Sequence, residues 1–225
     1  MRRTFQLGGL AAGAILIVFG IVAIVMGMNG RSTVNDNLKQ EQIVGTADMT
    51  PTGIKAAAQK AGLQNISFPT CSVADKTVTN GATARCFAQY MQIHALEATG
   101  GFVYSQMGQY AAKPGTPKSQ LSPGGGTSNP QYAQLDAKTS QPASNGARNV
   151  WVTETALTTA LNTSYMASQL ALFAIVVGVA LLLAGFGFAI LAIGGALRRP
   201  ETPPDLAADT RTPTIAAPPA PVPTA

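Results

Sequence analysis

Leu7-Gly-Gly-Leu-Ala-Ala-Gly-Ala-Ile-Leu-Ile-Val-Phe-Gly-Ile-Val-Ala-Ile-Val-Met-Gly-Met28 contains no charged residue. As a helix these residues, about 22 of them, extend ~33 Å and match the ~30 Å hydrocarbon core of a bilayer. A second stretch has the same character. No Lys, Arg, Asp or Glu occurs between Glu154 and Arg198, and its apolar part runs unbroken from Leu170 to Leu197. Both stretches read as membrane spans, the second tilted to absorb its extra length. Arg2 and Arg3 precede the first as they would in a secretory signal. Its length argues against cleavage, because a signal's apolar region covers about 7–15 residues and ends at a small-x-small site. Residues 22–29 offer only a poor one.

The whole composition agrees. The 225 residues are 46% hydrophobic and 11% charged, far below the ~25% charged of soluble domains. Arg2, Arg3, Arg198, Arg199 and Arg211 flank the spans on one side, against Arg31 and Lys39 on the other. The richer side is expected to be cytoplasmic, and long connecting segments cross regardless of their charge. The predicted fold class is therefore mainly α. It comprises two antiparallel transmembrane helices and a small, mostly helical, disulfide-stapled extracytoplasmic domain. In order, the expected parts are a cytoplasmic N-terminus (1–6), span 1 (7–28), an extracytoplasmic domain (29–112), a flexible linker (113–148), a helical stalk (149–169), span 2 (170–197) and a disordered cytoplasmic tail (198–225).

Helices in lipid associate where small residues let their backbones approach. Gly13, Gly20 and Gly27 recur every seven residues, and Ala171, Gly178, Gly185 and Ala192 do the same. Seven is the left-handed packing repeat, so these residues should form the seam, with Gly20 opposite the region from Gly178 to Gly185. Gly9, Gly187 and Gly194 offer competing faces for a partner or a homo-oligomer.

Beyond the first span, Val34 and Leu38 continue a helix that Gly45 should stop. Thr50-Pro51 opens a short helix through Ala61. Ala82–Ala98 is the next, with Phe87, Tyr90, Met91 and His94 as its buried stripe, and Asn149 should cap the helix entering span 2. Cys71 and Cys86, the only cysteines, are expected to form a disulfide in an oxidising compartment. A closed loop of about 15 residues makes that bond worth ~3 kcal/mol. Residues 113–148 and the tail are rich in Pro, Gly, Ser and Ala and read as flexible.

Catalytic chemistry is poorly supplied. His94 is the only histidine, and on one helix with Cys86 it would lie ~12 Å away along the axis. A packing role is expected for it. A zinc or iron centre needs three or four clustered ligands, so no metal, no cofactor and no catalytic residue is expected. Asp36, Glu41, Asp48, Asp75, Glu97, Asp136 and Glu154 are scattered in sequence, and a carboxylate pair among them stays open. Gly124–Gly126 lacks the Lys-Ser/Thr of a phosphate loop. No basic, aromatic-interleaved patch suggests nucleic acid, and the spans hold no ionisable residue to mark an ion path.

Phe68-Pro-Thr-Cys-Ser-Val-Ala74, His94-Ala-Leu-Glu-Ala-Thr-Gly-Gly101 with Tyr104, and Trp151-Val-Thr-Glu-Thr-Ala-Leu-Thr-Thr-Ala-Leu161 resemble an actinobacterial family of two-span membrane proteins of unknown function. Some of its members carry an aromatic-ring-opening dioxygenase label, which needs iron on His and Glu ligands and which this sequence does not support. The resemblance implies a bacterial cell envelope, so Asn65-Ile-Ser67 and Asn162-Thr-Ser164 are not expected to be glycosylated. The expected function is that of a non-catalytic envelope accessory or interaction protein, a scaffold or subunit in a membrane complex. The alternatives are an extracytoplasmic sensor or ligand-binding protein and, third, an envelope enzyme.

Overall fold

A computed structural model describes residues 2–194, with side-chain surroundings from residue 6 onward. The expected tail (198–225) and the last residues of the second apolar stretch lie outside the described residues. Four helices carry the fold: α1 (Arg2–Gln40), α2 (Pro51–Lys60), α3 (Gly81–Ala98) and α4 (Gly146–Ile193). Three 3₁₀ turns lie between α3 and α4, and the described residues contain isolated β-bridges but no strand.

α1 and α4 are each long and apolar enough to cross a membrane. They pack along the small residues. A Cβ added to Gly13 would lie 2.8 Å from the Gly185 carbonyl oxygen, one on Gly20 2.8 Å from that of Gly178, and one on Gly27 2.6 Å from that of Ala171. Ala171, Gly178, Gly185 and Ala192 are all buried in α4, while large side chains such as Phe19, Phe173 and Leu183 point outward, each at least 62% exposed. Gly187 has nothing within 4 Å of an added Cβ, so it is no part of this seam. Nothing interrupts either helix where its apolar stretch gives way to polar sequence. α1 continues through Leu38 and α4 begins far upstream of Leu170.

Those continuations enter the core of a small domain. Leu38 from α1 and Leu161 from α4 are buried with Ile54 and Ala58 of α2, Val73 and Val78 of the following loop, and Ala84, Phe87, Tyr90 and Ile93 of α3. α1 ends at Gln40, five residues before Gly45, because Gln42 takes a left-handed φ of 51° and turns the chain. The returning segment pairs with the loop before α3 through Val44–Thr77 and Gly45–Ala74 bridges. Thr50 caps α2, its hydroxyl accepting from the Gly53 amide, with Pro51 in the first turn. Asn80 and Thr83 cap α3 reciprocally.

α3 is buried over a wider arc than the expected stripe. Phe87 and Tyr90 are buried but Met91 and His94 are only partly so, and Ile93 takes the inward place assigned to His94. The reason is that α3 is central, touching α1, α2 and α4. The expected disulfide joins Cys71 to Cys86 across a separation of 15 residues, with 6.1 Å between Cα atoms. Beside it the buried Tyr90 hydroxyl donates to the Cys71 carbonyl at 2.6 Å, and burial raises the Tyr90 pKa. Replacing both cysteines with serine is expected to lower the stability of the domain by about 3 kcal/mol. Urea titration of the two proteins under non-reducing conditions measures it.

Residues 113–148 are not the flexible linker their composition suggests. With the preceding residues they form a hydrogen-bonded meander: Tyr110 exchanges amide bonds with Thr127, Ala111 donates to Ala143, Gln134 donates to Ala111 and Ala143 donates to Gln134. Asp136 closes a surface turn by accepting from the Lys138 and Thr139 amides. These bonds, that to the Thr139 amide foremost and the Thr139 hydroxyl next, lower its pKa. Asn145, not Asn149, caps α4. Its Oδ1 accepts from the Ala147 amide at 3.1 Å while its Nδ2 donates to the carbonyls of Gly108 and Gly125. Asn149 lies inside the helix and donates to the Ser144 hydroxyl.

Candidate functional site

The most chemically loaded region lies where the first three turns of α4 cross α3. Trp151 fixes this crossing. Its ring is buried against Ala95 and Met107, and its indole N–H donates to the Phe102 carbonyl at 2.9 Å and reaches the Thr99 hydroxyl at 3.3 Å. The Thr99 hydroxyl is itself donated at the C-terminus of α3, with the Ala95 and Phe102 carbonyls at 2.8 and 2.7 Å. The end of α3, the turn after it and the start of α4 thus share one polar knot inside an apolar cluster.

Two of the depressions beside the crossing reach Glu154. One is an open, mainly apolar groove of about 510 Å³ lined by Met91, Ala95, Ala98, Val150 and Thr153, with His94 at its edge. The other is a smaller, more polar crevice of about 280 Å³ lined by Gln89, Gln92, Trp151, Thr155, Thr158 and Asn162. Glu154 borders both. It is only 6% exposed, and its Oε2 accepts from the Thr155 hydroxyl at 3.3 Å.

Burial raises the Glu154 pKa, against smaller opposing effects of hydrogen bonds from Thr155 and Thr158. A carboxyl held above its unfolded value stabilises the fold while it is protonated. That contribution is present below the unfolded pKa and is lost as pH rises through the folded one. Glu154→Gln is therefore expected to raise the melting temperature at neutral pH and to leave it unchanged near about pH 3, below the usual carboxylate range. Thermal melts of the two proteins at both pH values measure this.

His94 lies on the α3 side of the open groove. Its Nδ1 is 3.4 Å from Glu97 one turn later, and its Nε2 is 3.5 Å from Asp48 in the loop before α2. The Asp48 approach makes no hydrogen bond, and Nε2 is buried without a partner. The residue links α3 to that loop in a half-buried setting. Among the described residues no group of three or more His, Cys, Asp or Glu could hold a metal ion, and both cysteines are committed to the disulfide.

Sequence reasoning placed Glu154 among scattered carboxylates and overlooked Trp151 and Asn145 as structural centres. One signal was available. Trp151, Glu154 and Leu161 follow a 0, 3, 10 spacing on one helical face, so Glu154 occupies the same buried face as two large apolar residues. Compared with models of protein families, with curated proteins and with solved structures, the chain matches none of them.

Proposed function

We propose that this chain is a non-catalytic accessory subunit of a membrane complex in a bacterial cell envelope. In this reading α1 and α4 are antiparallel transmembrane helices, both termini are cytoplasmic, and the disulfide-bearing domain is extracytoplasmic. The observation that carries it is the continuity of α1 and α4 from an apolar, outward-facing zone into the domain core. Leucines, valines and phenylalanines exposed all around the pair find a favourable solvent in lipid and an unfavourable one in water. The domain is consequently held on two stiff helical supports at a set distance from the bilayer. The disulfide supports an oxidising compartment. The open groove beside His94 is the surface on which a partner protein would sit.

Two experiments test the two halves of this reading. With Ser140→Cys in the meander, a membrane-impermeant thiol reagent is expected to label intact cells. Labelling only after lysis overturns the orientation. A photo-crosslinking residue at Ala98 or Val150 is expected to give one stoichiometric adduct in native membranes, and the same residue at Thr139 none. Recovery of the chain alone from the groove positions, with labelling intact, rejects the accessory role while leaving the topology standing.

A further inference from the structure

Glu154 borders the docking groove and the crevice alike, but neither anchoring nor an apolar docking surface requires a buried carboxylate. It is the one charged side chain buried among the described residues, and there no Lys, Arg or His nitrogen lies within 4.0 Å of it. Burying an ion without a counter-ion costs several kcal/mol in general, and a Gln or Leu on the same face of α4 would avoid that cost. Glu154 lines the polar crevice, and its Oε2 accepts from the hydroxyl of Thr155, which lines the crevice and not the open groove.

The polar walls of that crevice apart from Glu154 are neutral amides and hydroxyls, each with an oxygen that can accept. Gln89 and Gln92 face it from α3, and Thr155, Thr158 and Asn162 face it from α4. Amide and hydroxyl oxygens around one carboxylate suit a group with several N–H donors and a positive charge. An anion would meet Glu154 with the wrong sign. A divalent metal would find a single carboxylate, fewer acidic ligands than such ions usually take from protein. The volume of about 280 Å³ lies below the usual range for drug-sized ligands, so the occupant is small.

We propose that the crevice between α3 and α4 binds a small polar molecule carrying a primary ammonium group, with Glu154 as its counter-ion and the Gln92 and Asn162 amides as further acceptors. The site does not depend on the membrane role proposed above. An occupant would tie α3 to α4 at the point where α4 sets out toward its apolar half.

The test uses the full chain in detergent and three probes of nearly equal size: 4-aminobutan-1-ol, 1,4-butanediol and 4-hydroxybutyrate. Trp151 is the only tryptophan and lies in the crevice wall, so its fluorescence reports occupancy directly. The amine is expected to give a saturable change, and the diol and the acid none. Glu154→Gln is expected to weaken amine binding at least about tenfold, the loss of a hydrogen bond to a charged group, and Glu154→Asp to weaken it less. An unchanged near-ultraviolet spectrum confirms that each variant is folded. Equal responses to all three probes, no response to the amine, or wild-type affinity in folded Glu154→Gln each overturns the proposal.

Discussion

Trp151→Ala is expected to destabilise the domain by about 3–5 kcal/mol, the usual cost of removing a large aromatic side chain from a packed interior. The ring is 7% exposed and is the largest member of the cluster it shares with Ala95 and Met107. Its loss opens a cavity larger than shifts of Met107, Leu96 and Phe102 around it are expected to fill. The indole N–H also disappears, but the Thr99 hydroxyl lies 2.7 Å from the Phe102 carbonyl and can turn its proton to it, so the polar part of the penalty is expected to be smaller than the packing part. Trp151→Phe should therefore recover more than half of the loss. If packing dominates, urea melts followed by far-ultraviolet circular dichroism will rank the three proteins wild type, Phe, Ala with the larger gap between Phe and Ala. A larger gap between wild type and Phe would mean that the hydrogen-bonded knot matters more than the volume.

The same substitution has a local consequence. Trp151 holds the start of α4 onto the end of α3, and Asn145 just upstream holds the meander onto α4. With the ring gone, the first turns of α4 and the meander become one loosely attached unit, while Leu161 stays in the main core. Amide exchange in Trp151→Ala should accelerate at residues 146–153 and in the meander far more than at residues 158–170.

How much of this was legible in the sequence depends on which physical signal each part leaves. The two long helices follow from uncharged length, and Gly13, Gly20 and Gly27 lie against Gly185, Gly178 and Ala171, where small residues let backbones approach, whereas Gly187 keeps the same interval from Gly194 with nothing near it. The disulfide follows from two cysteines in a chain that reads as a membrane protein. The meander was misread because composition reports conformational freedom, not whether that freedom is used. Pro123-Gly-Gly-Gly126 looks flexible, yet Gly125 and Gly126 take φ of 86° and 72°, and a Cβ on Gly126 would lie 2.5 Å from the side-chain Nδ2 of Asn145. These glycines permit a turn and a close approach to the cap of α4. Trp151 and Glu154 were passed over for a different reason. Their neighbours are Gln89 and Gln92 on α3 and Thr99 and Phe102 just past its end, all far upstream in the chain, and no local pattern encodes that meeting.

Gly20→Ile is expected to force α1 and α4 apart and to lower stability by about 1–3 kcal/mol or more, the range for overfilling a close-packed contact. A Cβ at this position meets the Gly178 carbonyl oxygen at 2.8 Å and the Leu182 amide nitrogen at 3.0 Å. Both are backbone atoms of a helix, so no side chain can swing aside and relief requires the helices to separate. Gly178→Ile presses from the other side, 2.7 Å from the Gly20 oxygen. Once one substitution has parted the pair, the second finds space already made, so the double variant should cost clearly less than the sum of the singles. Gly8→Ala and Gly187→Ala meet nothing within 4 Å and should be neutral or slightly stabilising, since alanine is the better helix former. The separation should reach the domain as well, because α1 and α4 deliver Leu38 and Leu161 to its core. Trp151 fluorescence in detergent melts reads that coupling: in Gly20→Ile its transition moves to lower temperature, whereas a transition fixed at the wild-type value would make the domain independent of the helical pair beneath it.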